Sequence, residues 1–300
     1  AGVSSNLATV ISSRGCPYRC TFCDVPYKKY RARSIELVVD EVEECLKLGY
    51  DEFHFYDDLF NMKAQKLHDF SNELEKRDLK ITWDFRGRVN AVTRESLEHS
   101  KRAGLRQISF GVETGSDEGL KFLKKGSTTK KYIDAFRWTR ELGINTVADF
   151  IIGFPFEKTP EDIRKNIDYV FKLDPDYLLL GVLMLLPGTE LYDQGIEAGQ
   201  VDPDKWREFA LNPTSDFNYD FWTEHMSAKQ LAKLRVKHYR RFYLRPKYIL
   251  RTIFNIGGLH EFKKLIYGGL TILGIPARVV RKIPRSLSNR IMNKIKTARI

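Results

Sequence analysis

What most limits the fold open to this chain is a pattern that recurs about every 30 residues from residue 7 to residue 198: a short β-branched or aromatic run, a polar or glycine-bearing loop, then an amphipathic stretch. The runs predict strands at 7–12, 52–56, 81–85, 107–112, 146–152 and 177–183, alternating with helices at 35–48, 63–76, 94–103, 130–142, 161–173 and 190–198. The fifth helix carries the fullest set of cues. Thr159 can cap it, Pro160 stands at its first position, and Ile163, Ile167, Val170 and Phe171 form one apolar stripe. Strands separated by helices join through right-handed parallel crossovers, so the body is either a doubly wound open sheet or a barrel.

Beyond residue 200 the alternation stops. Residues 201–223 are aromatic and proline-bearing without a period, which suits a folded-back loop. A helix is expected from about Ser227, with Pro246 ending it. The division expected is a barrel at 1–200 and an aromatic linker with a basic helical region at 201–300. Net charge follows the same division. Residues 224–300 hold 19 Lys/Arg against 2 Asp/Glu, so the first 223 residues hold 31 against 37 and the overall +11 belongs to the tail. A hydrophobic content of 42% supports a packed core and excludes disordered or collagen-like chains. With no long uncharged apolar run and no secretory layout in the first residues, the expected location is cytoplasmic, with a peripheral membrane association open through the tail.

Three of the four cysteines, Cys16, Cys20 and Cys23, form a C-x3-C-x2-C run directly after the first predicted strand. On a loop, such spacing lets three thiolates converge on an iron–sulfur cluster and leaves one corner without a protein ligand. The alternative is a zinc ion completed by a residue such as His54. Cys45 falls on the apolar side of the first predicted helix beside Val38, Val42 and Leu46, so it is expected to pack in the core.

The cysteine run, with Phe22 just before its last member, resembles the signature of the radical S-adenosylmethionine (SAM) superfamily. The segments FHFYDDLFN (53–61), FGVETGSDEGLKFLKKGST (110–128), FIIGFPFEKTPED (150–162) and LPGTELYD (186–193) follow successive predicted strands, as that resemblance requires. Together with RRFYLRPKYI (240–249) they are most similar to the branch that usually carries an N-terminal cobalamin-binding domain, that of anaerobic porphyrin cyclases and C-methyltransferases. The resemblance implies a partial (β/α)6 TIM-like barrel with a helical, basic C-terminal extension. It also implies a [4Fe-4S] cluster held by Cys16, Cys20 and Cys23 and chelated by SAM, which is cleaved by one electron from a flavodoxin- or ferredoxin-like donor. The reaction expected is C-methylation or another radical modification of a small, hydrophobic or lipid-like metabolite, with a tRNA-modifying enzyme or a non-enzymatic iron–sulfur or zinc protein as alternatives.

Carried over position by position, the resemblance sets Phe22 against adenine, Asp57 and more weakly Asp58 near the methionyl amino group, and Glu113 at the ribose or amino group. It brings the backbone at Gly153 and Pro155 to adenine and Pro187 to the pocket floor. Arg86 and Arg88 are candidates for a SAM or substrate carboxylate, with a barrel-rim salt bridge as an equal alternative for either. Phe156 stands where the family usually has glycine, which puts a tight turn there in doubt. Lys124 and Lys125 are read as a solvated helix end. The fifteen residues before Cys16 leave no room for a cobalamin domain, so either a domain outside these residues supplies cobalamin or the enzyme works without it. The basic tail has three readings: packing against the acidic body, then an anionic membrane surface, then nucleic acid.

Overall fold

The computed structural model describes residues 6–254. In chain order its elements are β1 (Leu7–Val10), β2 (Ser13–Arg14), β3 (Arg31–Ala32), α1 (Ile35–Lys47), β4 (Glu52–Phe55), α2 (Ala64–Lys76), β5 (Thr82–Gly87), α3 (Arg94–Arg102) and β6 (Leu105–Glu113). There follow α4 (Asp117–Phe122), α5 (Thr129–Glu141), β7 (Asn145–Ile152), α6 (Pro160–Leu173), β8 (Tyr177–Val182), α7 (Glu190–Glu197), α8 (Lys205–Leu211), α9 (Ala228–Tyr243) and α10 (Pro246–Phe254). The described residues fall into two compact units that divide between Leu231 and Ala232.

Six strands form one sheet in the order β1-β4-β5-β6-β7-β8, and every neighbouring pair is parallel. A doubly wound sheet reverses its strand order at a switch point, and this one does not. Right-handed crossovers in an unreversed order place the connecting helices on a single face, which is the arrangement of a partial (β/α)6 barrel.

The two faces of the sheet differ accordingly. Phe53, Phe55, Trp83, Phe85, Phe110 and Phe150 point toward the helices and are fully buried. Aromatic contacts such as Phe60–Phe85 (4.8 Å) and Phe70–Trp83 (5.0 Å) knit this side together, and rings in such tilted or edge-on pairs add stabilisation beyond their area. On the other face, His54, Ser109, Asp149 and Val147 are half-buried and Tyr177 and Leu179 are exposed. Strands covered on both faces are usually continuous in hydrophobicity. The alternation of β7, with Asp149 amid apolar residues, records that the connecting helices lie on the opposite face.

Several expectations change. The first strand stops at Val10; Ser13 and Arg14 instead pair antiparallel with Ala32 and Arg31, closing the base of the loop that carries the cysteines. Residues 201–223 do fold back, with Leu185 N donating to Asp220 O at 2.9 Å, but they contain the helix α8. They cluster with the barrel because Val201 and Trp222 pack on Leu183, Leu185 and Leu191. Pro246 opens α10 rather than ending α9, as a residue without an N–H suits a first helical turn. Cys45 is half-exposed between Glu41 and Glu44 and outside the core, whose α1 members are Val38, Val39 and Val42. No described helix is long and apolar enough to cross a membrane. The tail expectations at 278–298 lie outside the described residues.

Candidate active site

The cysteine loop sits at the carboxyl end of β1 and is fastened from several sides. Gly15 has φ +81°, a region glycine enters freely, and a Cβ there would lie 2.4 Å from Lys29 O. Its N–H donates to Asp58 Oδ2 at 2.7 Å, and Cys16 N donates to Tyr27 O at 2.9 Å. Further on, Thr21 N donates to Leu123 O at 3.2 Å and Thr21 O accepts from Leu191 N at 2.9 Å. The loop is thereby tied to the segments that follow β6 and β8.

All three thiols are free and half-buried. Burial pushes the Cys16 and Cys23 thiols up, and the thiols raise one another, while Lys28 pulls both down and Arg88 pulls Cys16 down. Thiols of this kind ionise when a metal displaces their protons. Arg88, just past β5, stacks on the Tyr18 ring at 3.7 Å and directs Nη1 to Cys20 Sγ at 3.7 Å. Its Nε and Nη2 are enclosed without a protein partner. Three thiols beside a guanidinium with two donors to spare fit an anionic thiolate-held cluster with a bound carboxylate alongside. Asn61 sets Arg88 in place: Arg88 N donates to Asn61 Oδ1 at 2.9 Å and Asn61 Nδ2 donates to Arg88 O at 2.8 Å.

His54, the expected fourth zinc ligand, is instead bonded to Asp84, which also receives Arg106 at 3.3 Å. Among the described residues no three His, Cys, Asp or Glu side chains gather closely enough to hold a single ion.

Glu113 ends β6 in the left-handed region, with φ +66°, after a bulge between Gly111 and Glu113. A non-glycine residue held there stores strain that its surroundings must sustain. What sustains it is a buried ion pair with Lys125 Nζ at 3.1 Å. Burial alone would lower the Lys125 ammonium, but Glu113, Tyr132 and Cys20 together outweigh it and the net shift is upward. Lys125 is thus a core residue and not a solvated helix end, and it lies 5.8 Å over the ring of Phe22. Lys124 is the surface member of the pair, bridging Glu190 at 2.6 Å.

Asp57 is buried and spent on the protein. It accepts from Ser12 N at 2.7 Å and Ser13 Oγ at 2.6 Å, with Lys66 Nζ at 3.5 Å, so it fixes the approach to the cysteine loop. Phe22 packs edge-on to Phe154 at 6.1 Å. The turn in doubt at Phe156 does form: Glu157 N donates to Phe154 O at 2.9 Å with Pro155 at its second position, and Phe156 stacks on Phe154 at 5.2 Å. Gly153, at φ +86°, donates to Glu157 Oε2 at 2.7 Å. Pro187 is exposed in a turn closed by Thr189 N to Leu186 O, after which Thr189 caps α7. Arg86 is exposed over the Tyr56 ring at 5.9 Å. Cys16, Cys20, Cys23, Arg88, Phe22, Lys125 and Glu113 therefore share one region, while Arg86 stands exposed over Tyr56 and Pro187 lies at the surface.

Sequence reasoning passed over Asn61, Asp149 and Glu157, and took Lys125 for a surface residue. Glu157 had one signal, a carboxylate inside an otherwise apolar block. It is buried, accepting from Gly153, Phe154 and Asn166, and burial raises it to about 7 despite those donors.

The Radical SAM superfamily profile matches residues 10–180, more than half of the chain and including every cysteine of the loop. The chain belongs to the radical SAM superfamily. The cofactors of that family are a [4Fe-4S] cluster and SAM, and the site just described has the donor set for both. The chain is 32% identical over 268 residues, 88% of its length and 57% of the relative's, to an uncharacterised methyltransferase of Pyrococcus horikoshii. It is 30% identical to the anaerobic magnesium-protoporphyrin IX monomethyl ester cyclase of Cereibacter sphaeroides, over 78% of this chain and 38% of that one. Among solved structures, the radical SAM methyltransferase TsrM of Kitasatospora setae, with cobalamin and a [4Fe-4S] cluster bound, superposes with TM-score 0.59 at 25% identity, over 66% of this chain and 38% of that one. The cobalamin-dependent enzyme OxsB shares the fold at TM-score 0.65 and 20% identity, over 88% of this chain and 45% of that one. The chain spans about half the length of the curated relatives it matches.

Proposed function

We propose that this chain is the catalytic barrel of a radical SAM enzyme that carries out C-methylation, or another radical modification of a small organic molecule, with Cys16, Cys20 and Cys23 as the cluster ligands. The observation that carries this is the set of three free thiols on a fastened loop, flanked by the enclosed donors of Arg88. When bound, the cluster and SAM supply reductive cleavage of the sulfonium and the radical chemistry that follows.

The chain's own residues position and shield. Arg88 offers its unused donors to the SAM carboxylate and offsets the charge of the thiolates. Glu113, held by Lys125, presents a carboxylate to the SAM amino or ribose groups. Phe22, Phe154 and Phe156 form an apolar wall that excludes water, together with the backbone of Gly153 and Pro155. The solved relatives TsrM and OxsB carry cobalamin, and a flavodoxin or ferredoxin delivers the electron.

Anaerobic reconstitution with iron and sulfide tests the reading. The expected result is a protein with about four irons and the spectrum of a [4Fe-4S] cluster. With a reductant it should release 5′-deoxyadenosine from SAM, without a requirement for added cobalamin in this step. Alanine at Cys16, Cys20 or Cys23 should remove both the cluster and the nucleoside and leave the far-UV circular dichroism unchanged. A cluster-loaded protein that releases no 5′-deoxyadenosine, or a lone zinc ion in the purified protein, overturns it.

A further inference from the structure

Residues 225–260 hold nine Lys or Arg and no Asp or Glu. On other helices, cations pair with carboxylates one turn away, as Lys130 does with Asp134 at 3.1 Å in α5 and Arg164 with Asp168 at 2.7 Å in α6. α9 has no carboxylate to offer its own cations. Lys233 and Lys237 stand one turn apart on it, a like-charge spacing that costs a helix stability instead of adding it. A dense anionic partner reverses the sign of that cost.

The cations share their side of the helix with aliphatic groups. Lys233, Val236, Lys237 and Arg240 recur at i, i+3, i+4 and i+7, the spacing of a single helix face. Leu244, whose N–H donates to Arg240 O at 2.9 Å, extends that face by one more turn. All five are exposed, Val236 at 42% and Leu244 at 41%, while His238 and Phe242 on the other side are buried. In α10, Ile249 at 40% and Leu250 at 55% are exposed close after Lys247. The aromatic rings are used differently. Tyr239 packs on Tyr243 at 6.1 Å, Phe242 on Tyr248 at 5.4 Å and Tyr243 on Tyr248 at 5.1 Å, and none of the four is exposed. Rings engaged with one another leave no platform on which bases could stack, which argues against a single-stranded nucleic acid as the anionic partner. Aliphatic side chains set among cations suit a lipid surface instead.

We propose that this face of α9, together with Ile249 and Leu250 of α10, docks the protein on an anionic lipid bilayer. The Lys233, Lys237 and Arg240 cations meet phosphate-bearing headgroups, and Val236, Leu244, Ile249 and Leu250 enter the boundary between headgroups and acyl chains. The docking is peripheral and reversible, because the cations act only within a screening length of the surface and the aliphatic area offered is small. It goes beyond the radical SAM reading and does not rest on it, since none of these residues belongs to the cysteine loop or its surroundings.

The test is co-sedimentation of the full chain with vesicles of phosphatidylcholine alone and of phosphatidylcholine with about one third phosphatidylglycerol. Partitioning onto the anionic vesicles should exceed that onto the neutral ones by at least about tenfold, and should fall by at least about tenfold when salt rises from about 0.1 M to 1 M. Each basic side chain near a charged surface is worth about fivefold, so Lys233→Gln, Lys237→Gln and Arg240→Gln combined should weaken partitioning about a hundredfold. Ile249→Ser with Leu250→Ser should weaken it at least about fivefold. All five side chains are exposed, so both variants keep the fold, and unchanged far-UV circular dichroism checks this. Equal partitioning onto neutral and anionic vesicles overturns the proposal, as does wild-type partitioning by the triple variant. Wild-type partitioning by the double variant overturns it too, because the face would then be a general polyanion surface such as one for RNA.

Discussion

Removing the Lys125 ammonium would strand the Glu113 carboxylate in a pocket where both side chains are more than nine-tenths buried. Lys125→Met should therefore lower stability by about 3–5 kcal/mol, read from the denaturant midpoint. The size of that loss would mark Lys125 as interior, which its sequence neighbours Lys124 and Gly126 conceal. Glu157 makes a second case. Glu157→Ala leaves the N–H groups of Gly153 and Phe154 without their acceptor, at an expected cost of about 1–3 kcal/mol in the same assay. The cysteine run was legible as a family motif because close spacing is itself the signal. Lys125, Asn61 and Asp149 were not, since what makes each of them matter is a partner 12 to 40 residues away: Glu113 for Lys125, Arg88 for Asn61, Ser109 for Asp149.

At the scale of elements, α6 shows local coding at its clearest. Thr159 and Asp162 form a capping box around Pro160, so Thr159→Ala should cost about 1 kcal/mol of stability by urea titration. The turn before it teaches the converse. Pro155 presets the backbone while Phe156, in a place where glycine was expected, fills the space between Phe154 and Phe122. Phe156→Gly should lower stability by about 3–5 kcal/mol, the scale of deleting a packed aromatic side chain, instead of relaxing the turn. Gly87 works through clearance: a Cβ there would come within 2.3 Å of Asn61 Oδ1. Gly87→Ala should break the grip of Asn61 on Arg88, and the reconstituted variant should bind SAM several-fold more weakly by equilibrium dialysis while retaining its cluster iron. The β2–β3 pair escaped detection because two residues carry no period and their pairing spans the whole cysteine loop.

Across the whole molecule, Asp149 and Glu157 make stability depend on pH in an unusual direction. Burial is the leading cause for each, and the folded values, about 6 and about 7, lie above the ordinary carboxylate range. Between the ordinary range and those values the folded state holds protons that the unfolded state has released, so their contribution falls as pH rises from about 4 to 7. Urea midpoints should therefore decline over that interval, and the decline should flatten in the double variant Asp149→Asn, Glu157→Gln. Periodicity by itself determined that strands and helices alternate and that the strands run parallel, because hydrophobic spacing reports which side of each element is dry. Cysteine spacing likewise determined the cluster motif, since the ligands lie within one loop. Only the tertiary structure decided that the strand order is unreversed, which sets the connecting helices on one sheet face. It alone decided that Lys125 lies inside and that Asp149 meets Ser109 from the next strand. Those outcomes depend on distances between segments remote in the chain, and local pattern holds no record of such distances.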